Sequence, residues 1–186
     1  MTVLVTGGLG FIGFNALVLW KKLKPDWKFI VVDNITYAAK YLLEEKLQFL
    51  VDNNIMLYRY DISKKSEEMN HIFIDHKINA IVNFAAESHV DNSISGPEIF
   101  FNTNIIGTVN MLEYARKYNL RYHQISTDEV YGVTYPEDKC DENYRLEPSS
   151  PYSSSKTSAD LITLSYYKTF GINATISRCT NNFGPW

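Results

Sequence analysis

The sequence predicts an α/β fold, a doubly wound parallel sheet with helices on both faces, from three observations. Short β-branched runs alternate with longer segments of helical period, the pattern of successive βαβ units. The first such run leads straight into a glycine-rich turn, the place where open α/β sheets bind ligands. The 186 residues, 45% hydrophobic with 13 Tyr and 10 Phe, supply one real core and exclude a disordered or collagen-like chain.

In order, strands are expected at 2–6, 28–33, 55–60, 80–84, 122–126 and 173–177. Helices are expected between them at 11–24, 41–53, 65–76, 98–118 and 150–170. Each helix candidate carries apolar residues three or four apart, for example Ile105, Val109 and Leu112, so that one face packs on the sheet. The stretch 132–148, with Pro136, Glu137, Asp138, Asp141, Glu142, Glu147 and Pro148, reads as a solvated surface loop, with a functional lid as the alternative. Tyr114, Tyr118 and Tyr166 fit an exposed helix face or the core equally well.

Lys+Arg 18 against Asp+Glu 21 leaves a net charge of −3, with no positive excess to neutralise nucleic acid or an anionic membrane. Cys140 and Cys179 form no disulfide framework and no Cys-x-x-Cys pair, so a reducing cytoplasm is expected. The apolar stretch 9–20 lacks a preceding basic segment and is broken by Gly10, Gly13 and Asn15; it reads as neither leader nor membrane span.

Thr6-Gly7-Gly8-Leu9-Gly10-Phe11-Ile12-Gly13 joins the first strand to the first helix with Gly-x-x-Gly-x-x-Gly spacing, one residue different from the usual dinucleotide fingerprint. Such glycines permit a sharp turn and close approach to a pyrophosphate at a helix N-terminus. Asp33 stands 20 residues after Gly13, where a carboxylate accepts from an adenosine ribose and repels a 2′-phosphate. The pair points to NAD. Asp61-Ile62 either caps a strand end or meets the adenine edge.

Tyr152 and Lys156 are four residues apart at the start of a helix, one turn apart on one face. A fixed positive charge there is expected to lower the phenol towards neutrality and make Tyr152 a base. The fifth strand ends Ser126-Thr127-Asp128-Glu129-Val130-Tyr131-Gly132. Its adjacent acids read either as solvated or as a pair divided into acid and base. Two carboxyls exceed what alcohol oxidation needs.

With these segments, with Asn83-Phe84-Ala85-Ala86-Glu87-Ser88-His89-Val90-Asp91, Thr103-Asn104-Ile105-Ile106-Gly107-Thr108 and Asn181-Asn182-Phe183-Gly184-Pro185, the chain resembles the extended short-chain dehydrogenase/reductase superfamily. Within it, the chain is similar to the nucleotide-sugar 4,6-dehydratases, and the Thr-Asp-Glu triplet at 127–129 separates it from the related epimerases. The resemblance implies a lyase of deoxysugar formation, with dTDP-glucose the foremost substrate. In it Tyr152, Lys156 and Thr127 act at the sugar C4 hydroxyl, while Glu129 and Asp128 remove water across C5 and C6.

It also implies cofactor contacts from Gly7, Gly10, Phe11, Ile12, Gly13, Asp33, Asn34, Ile35, Thr36, Asp61, Ile62, Phe84, Ala85, Ala86, Ser88, Thr103, Tyr152, Lys156 and Asn182. Substrate contacts are implied for Ser88, Thr127 and Asn181. Cys179 and His89 are expected to be packing residues, with no metal site. A homodimer is implied, built on the helices at 98–118 and 150–170. Residues 1–186 are then the NAD-binding domain, a Rossmann sheet cut before a smaller substrate domain. Departures from the family pattern fall at Phe14, Ala39 and Phe183. The same-fold alternatives are a UDP-sugar 4-epimerase or decarboxylase; a non-catalytic NAD sensor is the alternative of another class.

Overall fold

The computed structural model describes residues 1–135, 137 and 139–186; Pro136 and Asp138 of the 132–148 loop lie outside the described residues. The six expected strands are β1 Thr2–Thr6, β2 Lys28–Asp33, β3 Met56–Arg59, β4 Ala80–Asn83, β5 Arg121–Thr127 and β6 Ala174–Cys179. They form one sheet in the order β3-β2-β1-β4-β5-β6, with every neighbouring pair parallel. The chain thus starts in the middle, winds outward to β3, crosses back and winds outward to β6.

Alternation along the central strands decides which residues meet which helices. Val3, Val5, Phe29 and Val31 join one buried cluster with Leu9, Phe14 and Leu17. Leu4, Ile30 and Val32 point the other way, into a cluster with Met69, Phe73, Met111, Leu112 and Tyr122. Apolar residues on both phases of the period-2 strand are what a sheet covered on two faces requires. Each fully buried side chain of this size contributes about 1.5–3 kcal/mol.

Helices α1 Phe11–Leu23 and α2 Leu43–Asp52 carry residues of the first cluster, and α3 Glu67–Asp75 carries residues of the second. A short helix α4, Val90–Ser95, follows β4 and was not foreseen. The single helix expected at 98–118 is three pieces: α5 Pro97–Phe100, a π-helical segment Phe101–Ile106, and α6 Gly107–Lys117. The wide turn slips the phase of the apolar face. Of Ile105, Val109 and Leu112, Leu112 is buried and the other two are half-buried, while Asn104, Gly107, Thr108, Met111 and Ala115 face inward.

The last helix, α7 Pro151–Phe170, has a capping box between Ser150 and Ser153, Pro in its first turn, and Gly171 in the left-handed conformation at its end. Tyr114, Tyr118 and Tyr166 pack partly buried against the core, the first two stacked on Phe73 at 4.5 and 5.6 Å, which selects the core reading. The 132–148 loop is largely exposed where described, yet it is anchored: Glu147 N–H donates to the Val130 carbonyl at 3.0 Å. Among the described residues no helix is long and apolar enough to cross a membrane.

Candidate active site

A parallel sheet brings every strand's carboxyl end to one edge, and the singled-out segments converge there. On the β1–β3 side, Gly7 turns the chain at φ +65 so closely against the loop after β4 that a Cβ would stand 2.6 Å from the Ala85 nitrogen. Only glycine adopts this turn without strain. At Gly13 a Cβ would meet the Gly7 carbonyl oxygen at 2.4 Å, so that glycine serves helix-to-turn packing. Asp33, at the tip of β2, accepts from Leu9 N–H at 2.9 Å and Ile35 N–H at 2.8 Å. Burial pushes its carboxyl up, against the pull of those amides and of Lys46. Lys46 is itself buried and donates to the Leu9 carbonyl at 2.9 Å, so the Leu9 residue is gripped at both ends.

A cleft at this edge is lined by Gly7, Gly10, Asp33, Asn34, Thr36, Asp61, Ile62, Phe84, Ala85, Ala86 and Thr103, all singled out from the sequence. It also contains Glu87 and Ala39, which the resemblance named only as a segment member and a departure, and Tyr60, which was not singled out. Tyr60 was hidden as the apolar end of a strand run, although its place just before Asp61 was a usable signal. The other candidates sit elsewhere. Ile12 is 37% exposed, Ile35 packs on the core cluster of α1, and Phe11, Ser88 and Asn182 lie outside the cleft. Ser88 is exposed, its N–H donating to the Tyr37 hydroxyl at 3.5 Å.

On the β4–β6 side, Thr127 ends β5 and caps the 3-10 turn Asp128–Tyr131, its hydroxyl accepting from Glu129 N–H at 3.2 Å. A second cleft is lined by Asp128, Glu129, Gly132, Thr180 and Asn181, so the acid pair shares an opening with the predicted substrate residue. Burial pushes the Glu129 carboxyl up, and Asp128 beside it adds to the rise. The raised carboxyl is Glu129, the one the resemblance makes the base, so proton affinity is increased where a proton has to be taken up.

Tyr152 and Lys156 are 8% and 4% exposed, set behind these openings. The phenol faces Thr127, Glu129, Asp128 and Cys179. Burial, then Glu129, push it up to about 12, with the Thr127 hydroxyl pulling the other way. The expected acidification by Lys156 is therefore absent from the polypeptide itself. The physical reason is that Lys156 is spent elsewhere: its Nζ donates to the Ile125 carbonyl at 2.7 Å, and burial lowers it to about 8.

Three further placements differ from expectation or were missed. Cys179 is half-buried beside Tyr152 and Lys156, its thiol donating to the Ser126 carbonyl at 3.3 Å, because β6 runs in register with the end of β5. His89 is exposed at the start of α4 with its ring 5.2 Å from that of Tyr37. Asn104, in the π segment, exchanges hydrogen bonds with the Glu87 backbone at 2.9 and 3.0 Å and donates to Ser155 at 2.8 Å. It ties α7 to the loop after β4. In the sequence it is marked only as part of the Thr103–Thr108 segment that carries the resemblance; periodicity reads it as an ordinary polar helix residue. Among the described residues no group of three His, Cys, Asp or Glu side chains could hold a metal ion.

Sheet order, glycine turn, strand-tip acid and the Tyr–Lys helix together define a Rossmann domain of the short-chain dehydrogenase/reductase kind. More particularly, the family model described as GDP-mannose 4,6 dehydratase matches residues 4–186, and the chain belongs to that family. It is 42% identical over 188 residues to a dTDP-glucose 4,6-dehydratase of Mycobacterium tuberculosis, covering 100% of this chain and 55% of the relative. A solved dTDP-glucose 4,6-dehydratase from Bacillus anthracis in complex with NAD matches with a TM-score of 0.88 and 40% identity, over 100% of this chain and 56% of that one. A UDP-glucuronic acid 4-epimerase from Bacillus cereus, in complex with UDP-glucuronic acid and NAD, matches with a TM-score of 0.86 at 27% identity, over 96% of this chain and 56% of that one. The chain spans about 55% of the length of the curated relatives it matches.

Proposed function

We propose that residues 1–186 are the NAD-binding domain of a nucleotide-sugar 4,6-dehydratase, which converts dTDP-glucose to the 4-keto-6-deoxy sugar with loss of one water. The observation that carries this reading is the buried Tyr152 phenol facing Thr127 and the Asp128–Glu129 pair, at the same sheet edge as the glycine-turn cleft.

The residues fit the cofactor. Helix α1 begins at Gly10 with no side-chain cap and no acid in its first turn, so its amides and dipole suit a pyrophosphate. Asp33 accepts two backbone amides, and about half of a carboxylate's roughly four lone-pair sites then remain for ribose hydroxyls. Its charge favours NAD over a 2′-phosphorylated dinucleotide. When bound, NAD supplies the hydride acceptor for C4, the hydride donor for C6 and a positive charge beside the phenol.

The chain's own residues handle the protons. Tyr152, facing Thr127, takes the C4 hydroxyl proton, and the ammonium of Lys156 holds the ribose. Glu129 removes the C5 proton, made acidic by the C4 ketone, while Asp128 delivers a proton to the departing C6 hydroxyl. Glu129 then returns a proton to C5. Ser88 and Asn181 hold the sugar nucleotide, and Asn34, Thr36, Asp61 and Ile62 line the cofactor cleft. Exposed Leu161, Leu164 and Tyr167 on α7, and exposed Ile106 at the end of the π segment before α6, support a homodimer through the two long helices.

The test is mass spectrometry of dTDP-glucose incubated with the protein and NAD. Loss of water to a 4-ketosugar is expected. A product of unchanged mass with its C4 centre inverted would replace this reading by the epimerase suggested by the likeness at 27% identity.

A further inference from the structure

One helical turn beyond Lys156 lies an acid with no place in the proton steps. Asp160 is fully buried and follows Lys156 by four residues on α7, so the two share a face. Its Oδ2 accepts from Nε of Arg178 on β6 at 2.9 Å. Arg178 Nη1 in turn donates to the Tyr131 hydroxyl at 3.1 Å, and that hydroxyl donates to the Asp141 carbonyl at 3.1 Å. Tyr131 closes the same 3-10 turn that begins with Asp128 and Glu129. A continuous chain of polar groups therefore joins the helix of Tyr152 and Lys156 to the turn of the acid pair.

The other oxygen of Asp160 is not consumed. Among the described residues Asp160 Oδ1 has no hydrogen-bond partner, nor have the buried hydroxyls of Thr157 and Ser126. Ser126 lies opposite Arg178 in the β5–β6 register, and Thr157 precedes Asp160 by three residues on α7. A buried carboxylate with one oxygen unpaired is unfavourable on its own, so a neighbouring buried cation that it can act on is the place to look for what it does. Lys156 is that neighbour. Burial drives its ammonium towards neutrality, and Asp160 is the first influence opposing it, ahead of Cys179.

We propose that Asp160, held by Arg178 and Tyr131, is a positioning residue: its buried carboxylate keeps Lys156 charged and fixes the acid-pair turn against the tyrosine helix. The catalytic part of this inference rests on the dehydratase reading; the electrostatic part does not. The groups facing this layer are Tyr152 and Asp160 from α7, Arg178 and Cys179 from β6, Tyr122 from β5, and Asp128 and Glu129 from the 3-10 turn.

The experiment follows the Lys156 side-chain carbon by NMR in protein carrying 13C-labelled lysine, the signal being assigned by its loss in Lys156→Met. Asp160→Asn is expected to lower the Lys156 midpoint by about one pH unit or more, a tenfold loss of proton affinity. Arg178→Met leaves the Asp160 charge facing Lys156 alone and is expected to raise the midpoint. Opposite signs are not what a purely structural role produces. If Asp160→Asn does not fold, the rise in Arg178→Met decides. An unchanged midpoint, or a shift of both variants in the same direction, overturns the proposal. In turnover, Asp160→Asn is expected to bring the alkaline limb of kcat to lower pH while KM for the sugar nucleotide stays. Should the unaltered protein dehydrate no sugar nucleotide, the functional reading fails and the NMR midpoints still judge the electrostatic link.

Discussion

The two halves of the sheet edge are built differently. Around β1–β3 the cleft is made by backbone: Gly7 and Gly13 let main chain approach main chain, and Asp33 is fixed by two peptide N–H groups within reach of its own turn. Around β4–β6 the site is made by side chains meeting across long stretches of sequence, such as Asn104 with Ser155 and Arg178 with Asp160. The first half is set by the polypeptide alone. In the second, Tyr152 stands at about 12, far above what base catalysis near neutrality wants, with Lys156 lowered to about 8 behind it. A recognition surface can be complete before its ligand arrives, whereas a reacting centre of this kind needs a further charge to bring its acids and bases into line.

The sharpest way to break this division is Tyr152→Phe and Glu129→Gln. Each should lower the dehydration rate by about 10²–10⁴-fold, while NAD titration followed by fluorescence stays near that of the unaltered protein. Parallel losses of rate and binding would mean that the halves are one unit. Next, Asn104→Ala removes three hydrogen bonds that join α7 to the loop after β4. It should cost about 2–4 kcal/mol in urea unfolding.

Gly7→Ala forces a side chain into the left-handed region against Ala85 and should cost about 1–3 kcal/mol. NAD affinity should fall with it, and turnover per bound cofactor should hold. The smallest expected effect concerns pH. Burial raises Asp33 above 3.8, so the folded state binds its proton more tightly than the unfolded chain does. That contribution is full below 3.8 and is lost as pH rises through the folded value. Asp33→Asn should flatten this decline in Tm, and an unaltered slope would mean that the carboxyl is not desolvated as described.

The same contrast explains what the sequence revealed. Strands β1 and β2 were legible to the residue because β-branched runs end at Thr6 and Asp33, each followed by a turn. The glycine spacing and the acid 20 residues later are local patterns, and both landed in or beside one cleft. Helix α4 escaped notice because Val90-Asp91-Asn92-Ser93-Ile94-Ser95 is short and polar and has no apolar period. The contacts of Cys179 and Asn104 are not legible locally because their partners come from strands and helices far away in sequence. Tyr152 and Lys156 were found by spacing, but spacing says nothing of desolvation, which decides their protonation.

The π segment at Phe101–Ile106 holds one residue of slack in what would otherwise be a single rod. Each helical residue turns the chain by about 100°, so drawing that slack out would swing everything before it by nearly a third of a revolution. Phe100, edge-on to the Tyr152 ring at 6.3 Å, would be carried off the phenol it braces. Deleting a single amino acid there would thus act as a rotation applied to the wall of the site, leaving its composition intact and its aim lost.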